Sequence, residues 1–166
     1  MNLHVNILDA VSIIVVVFYV YPFIRYVETG NVKFLWFTIG MIICGIFTLV
    51  LKTVTSTFGD SFLRPHAAEN CDVLCQGGEA GTHPGFPSGH MAATTFFFVM
   101  LYLITFPIGH IGRNKVALIW LGTGISIAMA IARFYKNCHN VTQIVGGAVF
   151  GSMFALIWYQ ILCRTC

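Results

Sequence analysis

Charge is what this sequence lacks. Asp, Glu, Lys and Arg make up 9% of its 166 residues, against roughly 25% in an ordinary soluble domain. That scarcity excludes water as the main solvent of the chain. The charges present, nine basic against six acidic for a net of +3, are too few and too scattered to grip a nucleic-acid backbone. No interleaving of aromatic and basic residues supports that partner, so nucleic acid is set aside. Basic residues are also missing before the first apolar run, and no small-x-small cleavage site follows it, so the run reads as a retained helix rather than a signal peptide. No shift in composition and no internal repeat divides the chain, which therefore reads as one membrane-embedded domain over residues 1–166.

What is present is apolar: 57% of the residues are hydrophobic and the mean hydropathy is +0.82. A bilayer core about 30 Å thick needs roughly 17 to 25 apolar residues per helix. Five stretches meet that standard, Ile7 to Ile24, Phe34 to Leu51, Met91 to Ile108, Val116 to Ala132 and Val141 to Cys163. The expected fold class is all-α, a polytopic transmembrane bundle of about five helices. Five spans put the long polar loop between Leu51 and Met91 on the same side as the short connection between Ala132 and Val141. The basic residues divide almost evenly, with Arg25, Lys33, Arg113, Lys115 and Arg164 on one side and Lys52, Arg64, Arg133 and Lys136 on the other. Because basic residues follow the first helix and none precedes it, the positive-inside rule places the N-terminus and the long loop outside or in a lumen.

Cys71, Cys75 and Cys138 all fall on that side, where an oxidising compartment permits a disulfide and an odd cysteine is left over. Cys71-x3-Cys75 with His66 or His83 is also compatible with a zinc site, although the spacing is generic and a disulfide or free thiol is the better reading. Cys163 and Cys166 mark the opposite face as juxtamembrane cysteines, and Arg164-Thr165 makes a poor prenylation box.

Three polar clusters lie at one membrane face: Arg64-Pro65 after the second helix, Pro87-Ser88-Gly89-His90 opening the third, and Arg133 with His139 between the fourth and fifth. Ionisable residues converging at the ends of membrane helices are costly to desolvate, which makes a binding or catalytic role the first hypothesis. The chemistry suits phosphate. Ser88 or Gly89 can cap the third helix, whose free backbone N–H groups attract anions, and Gly89 lets an oxygen approach the backbone. Arg64 and Arg133 each offer a forked pair of donors to phosphoryl oxygens. His90 and His139 could flank one phosphate, one attacking phosphorus and the other protonating the departing alkoxide. No metal or other cofactor is needed for this. The plainer alternative makes Ser88 only a cap and lets the arginines snorkel. His4, His66, His83 and His110 read as ordinary interfacial side chains.

In this order and at about these intervals, Arg64-Pro65, Pro87-Ser88-Gly89-His90 and Arg133-x5-His139 resemble the three-part signature of the type 2 phosphatidic acid phosphatase superfamily, over residues 52 to 151. The resemblance implies His139 as nucleophile, His90 as acid and then base, and Arg64, Ser88, Gly89 and Arg133 as the phosphate cradle. The sequence departs from the pattern twice. The lysine usual seven residues before the first arginine is replaced by Thr57, so Lys52 either serves from further upstream or snorkels, with Lys136 as a substitute. The aspartate expected four residues after His139 is Gln143, whose amide oxygen can orient the imidazole without supplying charge. Similar families of glucose-6-phosphatases and dolichyl diphosphate phosphatases carry glutamine there. Gln143 can also form a capping box with Asn140. The sequon Asn140-Val141-Thr142 adjoins His139, where a glycan would crowd the site, so no sugar is expected. Gly147-x3-Gly151 and Gly124-x3-Ala128 are small-x3-small patterns that let helices pack closely.

The implied function is hydrolysis of lipid phosphates or polyisoprenyl diphosphates drawn from the bilayer. Transfer of the phosphoryl headgroup to an alcohol is one alternative. A non-catalytic lipid-phosphate binder, with Thr57 and Gln143 as marks of decay, is another.

Overall fold

A computed structural model describes residues 7–75, 77–106 and 113–165, with the side chains of 163–165 left aside. His4, His110 and Cys166 lie outside the described residues, as do the side chains of Cys163 and Arg164. Among the described residues six α-helices follow one another: α1 (Ile7–Ile13), α2 (Val15–Thr29), α3 (Val32–Thr55), α4 (Gly89–Thr105), α5 (Arg113–Tyr135) and α6 (Val141–Thr165). The first two form one span, Ile7–Thr29, broken only at Ile14. The Ser12 hydroxyl bonds back to the Leu8 carbonyl at 2.9 Å beside this break, a contact that bends helices. Among the described residues four spans are long and apolar enough to cross a membrane, and α4 is a shorter apolar helix of 17 residues, about 25 Å long. The expected five-helix membrane bundle is therefore present, although the stretch expected to reach Ile108 runs into undescribed residues.

Several helices outrun their apolar stretches. The first span continues past Ile24 through Arg25 and Glu28, which pair at 2.8 Å on successive turns, and stops where Gly30 turns left-handed at φ 64° and returns its N–H to the Tyr26 carbonyl. Helix α3 opens with the Asn31 side chain accepting from the Lys33 N–H and continues beyond Leu51, so Lys52 lies within its last turn. Hydropathy alone does not see such ends, because a capped turn tolerates polar side chains.

The shortest span is the central one. His90, Met91, Ala92, Ala93, Thr94, Phe96, Phe97 and Met100 of α4 are all buried, whereas α3 turns Leu49 and Val50 outward, 64% and 53% exposed, as a lipid-facing surface requires. Phe97 stacks on Phe18 of α2 at 4.6 Å between ring centroids and meets Phe37 of α3 at 5.4 Å. On the other side, α4 and α6 approach until backbones touch. A Cβ at Gly147 would strike the Ser88 carbonyl, and one at Gly151 would strike the Ala92 carbonyl and the Thr95 hydroxyl. Thr95 uses the closeness to donate to the Ala148 carbonyl of α6 at 3.1 Å. The second small-residue pattern is corrected: Gly124 has open space where its Cβ would be, and Gly122 is the glycine of α5 that meets a neighbour, the Phe98 ring.

The loop from 56 to 88 contains two single 3-10 turns, Ser56–Phe58 and Asp60–Phe62, and folds back over the bundle end. The Arg64 N–H bonds the His83 carbonyl at 2.8 Å, and the Gly85 N–H bonds that of Phe62 at 2.9 Å. Cys71 and Cys138 form a disulfide across 67 residues of sequence, leaving Cys75 as the unpaired thiol of the three. The Cys71-x3-Cys75 zinc reading is thereby overturned, since an oxidised Cys71 is no thiolate ligand. Gly151→Val should lower thermal stability in detergent by about 1–3 kcal/mol through overpacking of the α4–α6 seam. Gly124→Val, facing open space, should leave it within about 0.5 kcal/mol; equal effects on the two melting curves would contradict this packing.

Candidate active site

Three chain segments are stitched together at one end of the bundle. The Ser88 N–H, just ahead of α4, bonds the Gln143 carbonyl in the first turn of α6 at 2.9 Å. This bond, beside the contact between Gly147 and the Ser88 carbonyl, sets the start of α4 against the start of α6, and so His90 near His139. The turn between α5 and α6 is closed by Arg133, whose carbonyl accepts from the N–H groups of Cys138 at 3.1 Å and His139 at 3.2 Å. The disulfide then ties Cys138, next to His139, to the loop that carries Arg64.

Arg64, Gly89, His90 and Lys52 line one cavity of about 270 Å³, which runs along α3 past Thr48 to Gly45 and is walled by Val15 and Tyr19 of α2. Lys52 is therefore turned into the cavity rather than snorkelling away from it. A Cβ on Gly89 would lie 3.7 Å from the Lys52 Nζ and from the Thr48 Cγ2, at ordinary contact distance, so Lys52 stands directly in front of the start of α4. Lys136 is occupied elsewhere, paired with Asp9 of α1 and donating to the Asn70 carbonyl, and its expected role as substitute is corrected. Thr57 bonds the Val54 carbonyl of its own turn at 2.7 Å.

Arg133 is fully buried. Its guanidinium rests on two neutral acceptors, the Ser12 hydroxyl at 3.2 Å and the Cys71 carbonyl at 2.7 Å. The fork expected to face the anion is thus partly held by protein, and Nε is what it leaves unbonded. Four buried side-chain polar atoms among the described residues have no hydrogen-bond partner: Arg64 Nε, Ser88 Oγ, His90 Nε2 and Arg133 Nε. Each belongs to a residue of the three sequence motifs. Ser88 occupies the N-cap position of α4 without making a side-chain cap bond, so the reading of Ser88 as only a helix cap is corrected.

Gln143 fixes the state of His139. Its Nε2 donates to the Leu63 carbonyl at 2.7 Å, and its Oε1 lies 3.4 Å from the Asn140 N–H and 3.1 Å from His139 Nδ1. A carbonyl can only accept and a backbone N–H can only donate, so the amide has one orientation and His139 Nδ1 must be the protonated nitrogen. Its Nε2 then carries the free lone pair. The Gln143 N–H meets the Asn140 side chain at 2.9 Å, completing the expected capping box. Burial first, then the charges of Lys52, Arg133 and Arg64, push the His139 pKa well below the ordinary histidine value, against a smaller opposing effect of the Gln143 bond. Burial likewise lowers Arg64, partly offset by Asp72, which lines the same cavity. His90 and His139 also feel one another's charge.

Every expected site residue, Lys52, Arg64, Ser88, Gly89, His90, Arg133, His139 and Gln143, is found in this cluster. Ser12, Tyr19 and Asp72 join it without having been expected. They belong to no motif, and in sequence Ser12 and Tyr19 are indistinguishable from ordinary residues of an apolar helix.

Comparison with known proteins identifies relatives of the chain. A family model described as the PAP2 superfamily matches residues 33–164. Lipid phosphate phosphatase epsilon 1, chloroplastic, from Arabidopsis thaliana is 27% identical over 127 residues, covering 75% of this chain and 39% of the relative. Lipid phosphate phosphatase epsilon 2, chloroplastic, from the same plant is 24% identical over 127 residues, covering 75% of this chain and 38% of the relative. The chain thus spans about two fifths of the length of these curated relatives. No solved structure matches it significantly. The match runs through all three motifs and both histidines, and the chain belongs to the PAP2 superfamily.

Proposed function

We propose that this protein is a membrane phosphatase that hydrolyses lipid phosphates or polyisoprenyl diphosphates through a phosphohistidine, without a metal ion. The observation that carries the reading is the set of four unpartnered buried polar atoms on Arg64, Ser88, His90 and Arg133. Orphaned donors at such depth are costly, and a phosphoryl group supplies the acceptors they lack. With Lys52, three cations surround the site and can neutralise a phosphate dianion unaided. The names of the two plant relatives support a lipid substrate, as does a cavity that runs down α3 from the cations into the apolar bundle.

His139 Nε2 attacks phosphorus in line. The P–O bond to the leaving group breaks as the new N–P bond forms, and His90, its protonation favoured by the bound anion, gives a proton to the departing oxygen. Neutral His90 then takes a proton from water, whose oxygen displaces His139 and releases inorganic phosphate. The Gln143 amide keeps the Nδ1 proton in place throughout, so that Nε2 is the nucleophilic nitrogen. The Cys71–Cys138 disulfide supports placing the site on the lumenal, periplasmic or extracellular side, where such bonds persist.

Purified protein in detergent should release phosphate from phosphatidate or a polyprenyl diphosphate without divalent metal, and His139→Ala should abolish the release. Failure on every substrate, or undiminished turnover by the variant, overturns the reading. A lowered His139 pKa means that the imidazole stays neutral and reactive as pH falls through 6.5. The acid limb of kcat/KM assigned to it should therefore lie below the ordinary histidine value, after allowance for the substrate phosphate's own ionisation at about 6. Lys52→Met removes a neighbouring positive charge, so the limb should move to higher pH; a shift to lower pH would contradict the electrostatic origin.

A further inference from the structure

The family match begins at residue 33, which leaves α1 and α2 outside it, yet α1 supplies a hydrogen-bond partner to Arg133 of the site. We propose that Ser12 is a positioning residue for phosphate binding: it holds the Arg133 guanidinium in the pose from which Nε meets the phosphoryl group. The proposal rests on the function proposed above.

Ser12 is fully buried in a largely apolar span. Its hydroxyl proton is committed to the Leu8 carbonyl at 2.9 Å, so a lone pair is turned toward Arg133 Nη1 at 3.2 Å. Serine in this state acts only as an acceptor from arginine. That matters because Arg133 lies near Lys52 and Arg64, and three like charges repel one another in a poorly screened interior. Two neutral acceptors, Ser12 Oγ and the Cys71 carbonyl, oppose that repulsion. The Cys71 carbonyl is backbone and belongs to a disulfide-tied loop. Ser12 is the side-chain acceptor of the two, a hydroxyl at a buried position where helix and bilayer alone would suit an apolar residue, and it serves as a rest for the guanidinium. The break at Ile14 and the Asp9–Lys136 pair fasten α1 against this corner.

The cradle holds the phosphoryl oxygens in the ground state and the transition state alike, so loss of Arg133 positioning acts mainly on binding. In the full-length protein in detergent, Ser12→Ala should raise KM and weaken competitive inhibition by inorganic phosphate about tenfold, with kcat changed far less. Ser12→Thr keeps the hydroxyl and its bond to the Leu8 carbonyl, and should restore both values. In an Arg133→Ala background, Ser12→Ala should change neither, because the group it positions is gone. If Ser12→Ala does not fold, Ser12→Cys, nearly the same size and a weak acceptor, should show the same loss of phosphate affinity. Wild-type KM and phosphate affinity in the Ala or Cys variant overturn the inference, as do full additivity with Arg133→Ala or a lowered melting temperature as the only effect. A wild-type protein that neither turns over lipid phosphates nor binds phosphate overturns the function itself, an outcome distinct from these.

Discussion

Positive charge packed into a place that water hardly reaches is the constraint on which the site depends. Lys52, Arg64 and Arg133 come from α3, the long loop and α5, and they converge around two imidazoles. Each repels the others, and burial raises the cost. Asp72 on the cavity wall offsets Arg64 in part. Arg133 is offset by Asp72 and Asp9 at a distance and is held directly by neutral acceptors, the Ser12 hydroxyl and the Cys71 carbonyl. An arrangement of this kind favours an anion with several oxygens, because one such group satisfies several donors and cancels their repulsion at once. Burial first, and these same charges after it, lower the His139 pKa, so the environment suited to an anion also favours the neutral form of the imidazole proposed as nucleophile.

The bundle makes this concentration possible by removing freedom around it. Helix α4 is buried on nearly every side and brings His90 with it. Glycines on α6 allow its backbone to meet that of α4, and the Ser88-to-Gln143 bond fixes the register of the two helix starts. The disulfide performs the same service for the loops, joining the segment after Arg64 to the segment before His139. Each device shortens the range over which the site residues can wander.

Gln143 shows how one side chain can replace a charge with a network. An aspartate in its place would hold the Nδ1 proton of His139 electrostatically. The amide holds it geometrically, because its other end is occupied by the Leu63 carbonyl and its oxygen also receives the Asn140 N–H. A neutral partner does less to raise the histidine pKa than a carboxylate would, in keeping with an imidazole whose pKa is lowered by burial and then by three nearby cations.

The sequence by itself determined the membrane setting, the number of apolar spans and the membership of the polar cluster. These follow from local quantities, since apolar run length is set by bilayer thickness and the three motifs are contiguous strings. Arg64, Ser88, His90, Arg133, His139 and Gln143 were all legible in this way. Only the tertiary structure decided between Lys52 and Lys136, paired Cys71 with Cys138 rather than Cys75, and freed the Ser88 hydroxyl from the cap it was suited to make. It also showed Gly124 facing open space and brought Ser12 under Arg133, across 121 positions of sequence. Which lysine faces the cavity, which cysteines meet and which acceptor a buried guanidinium finds depend on helix rotation and loop path. Those are fixed by packing against distant segments, and no local pattern of residues records them.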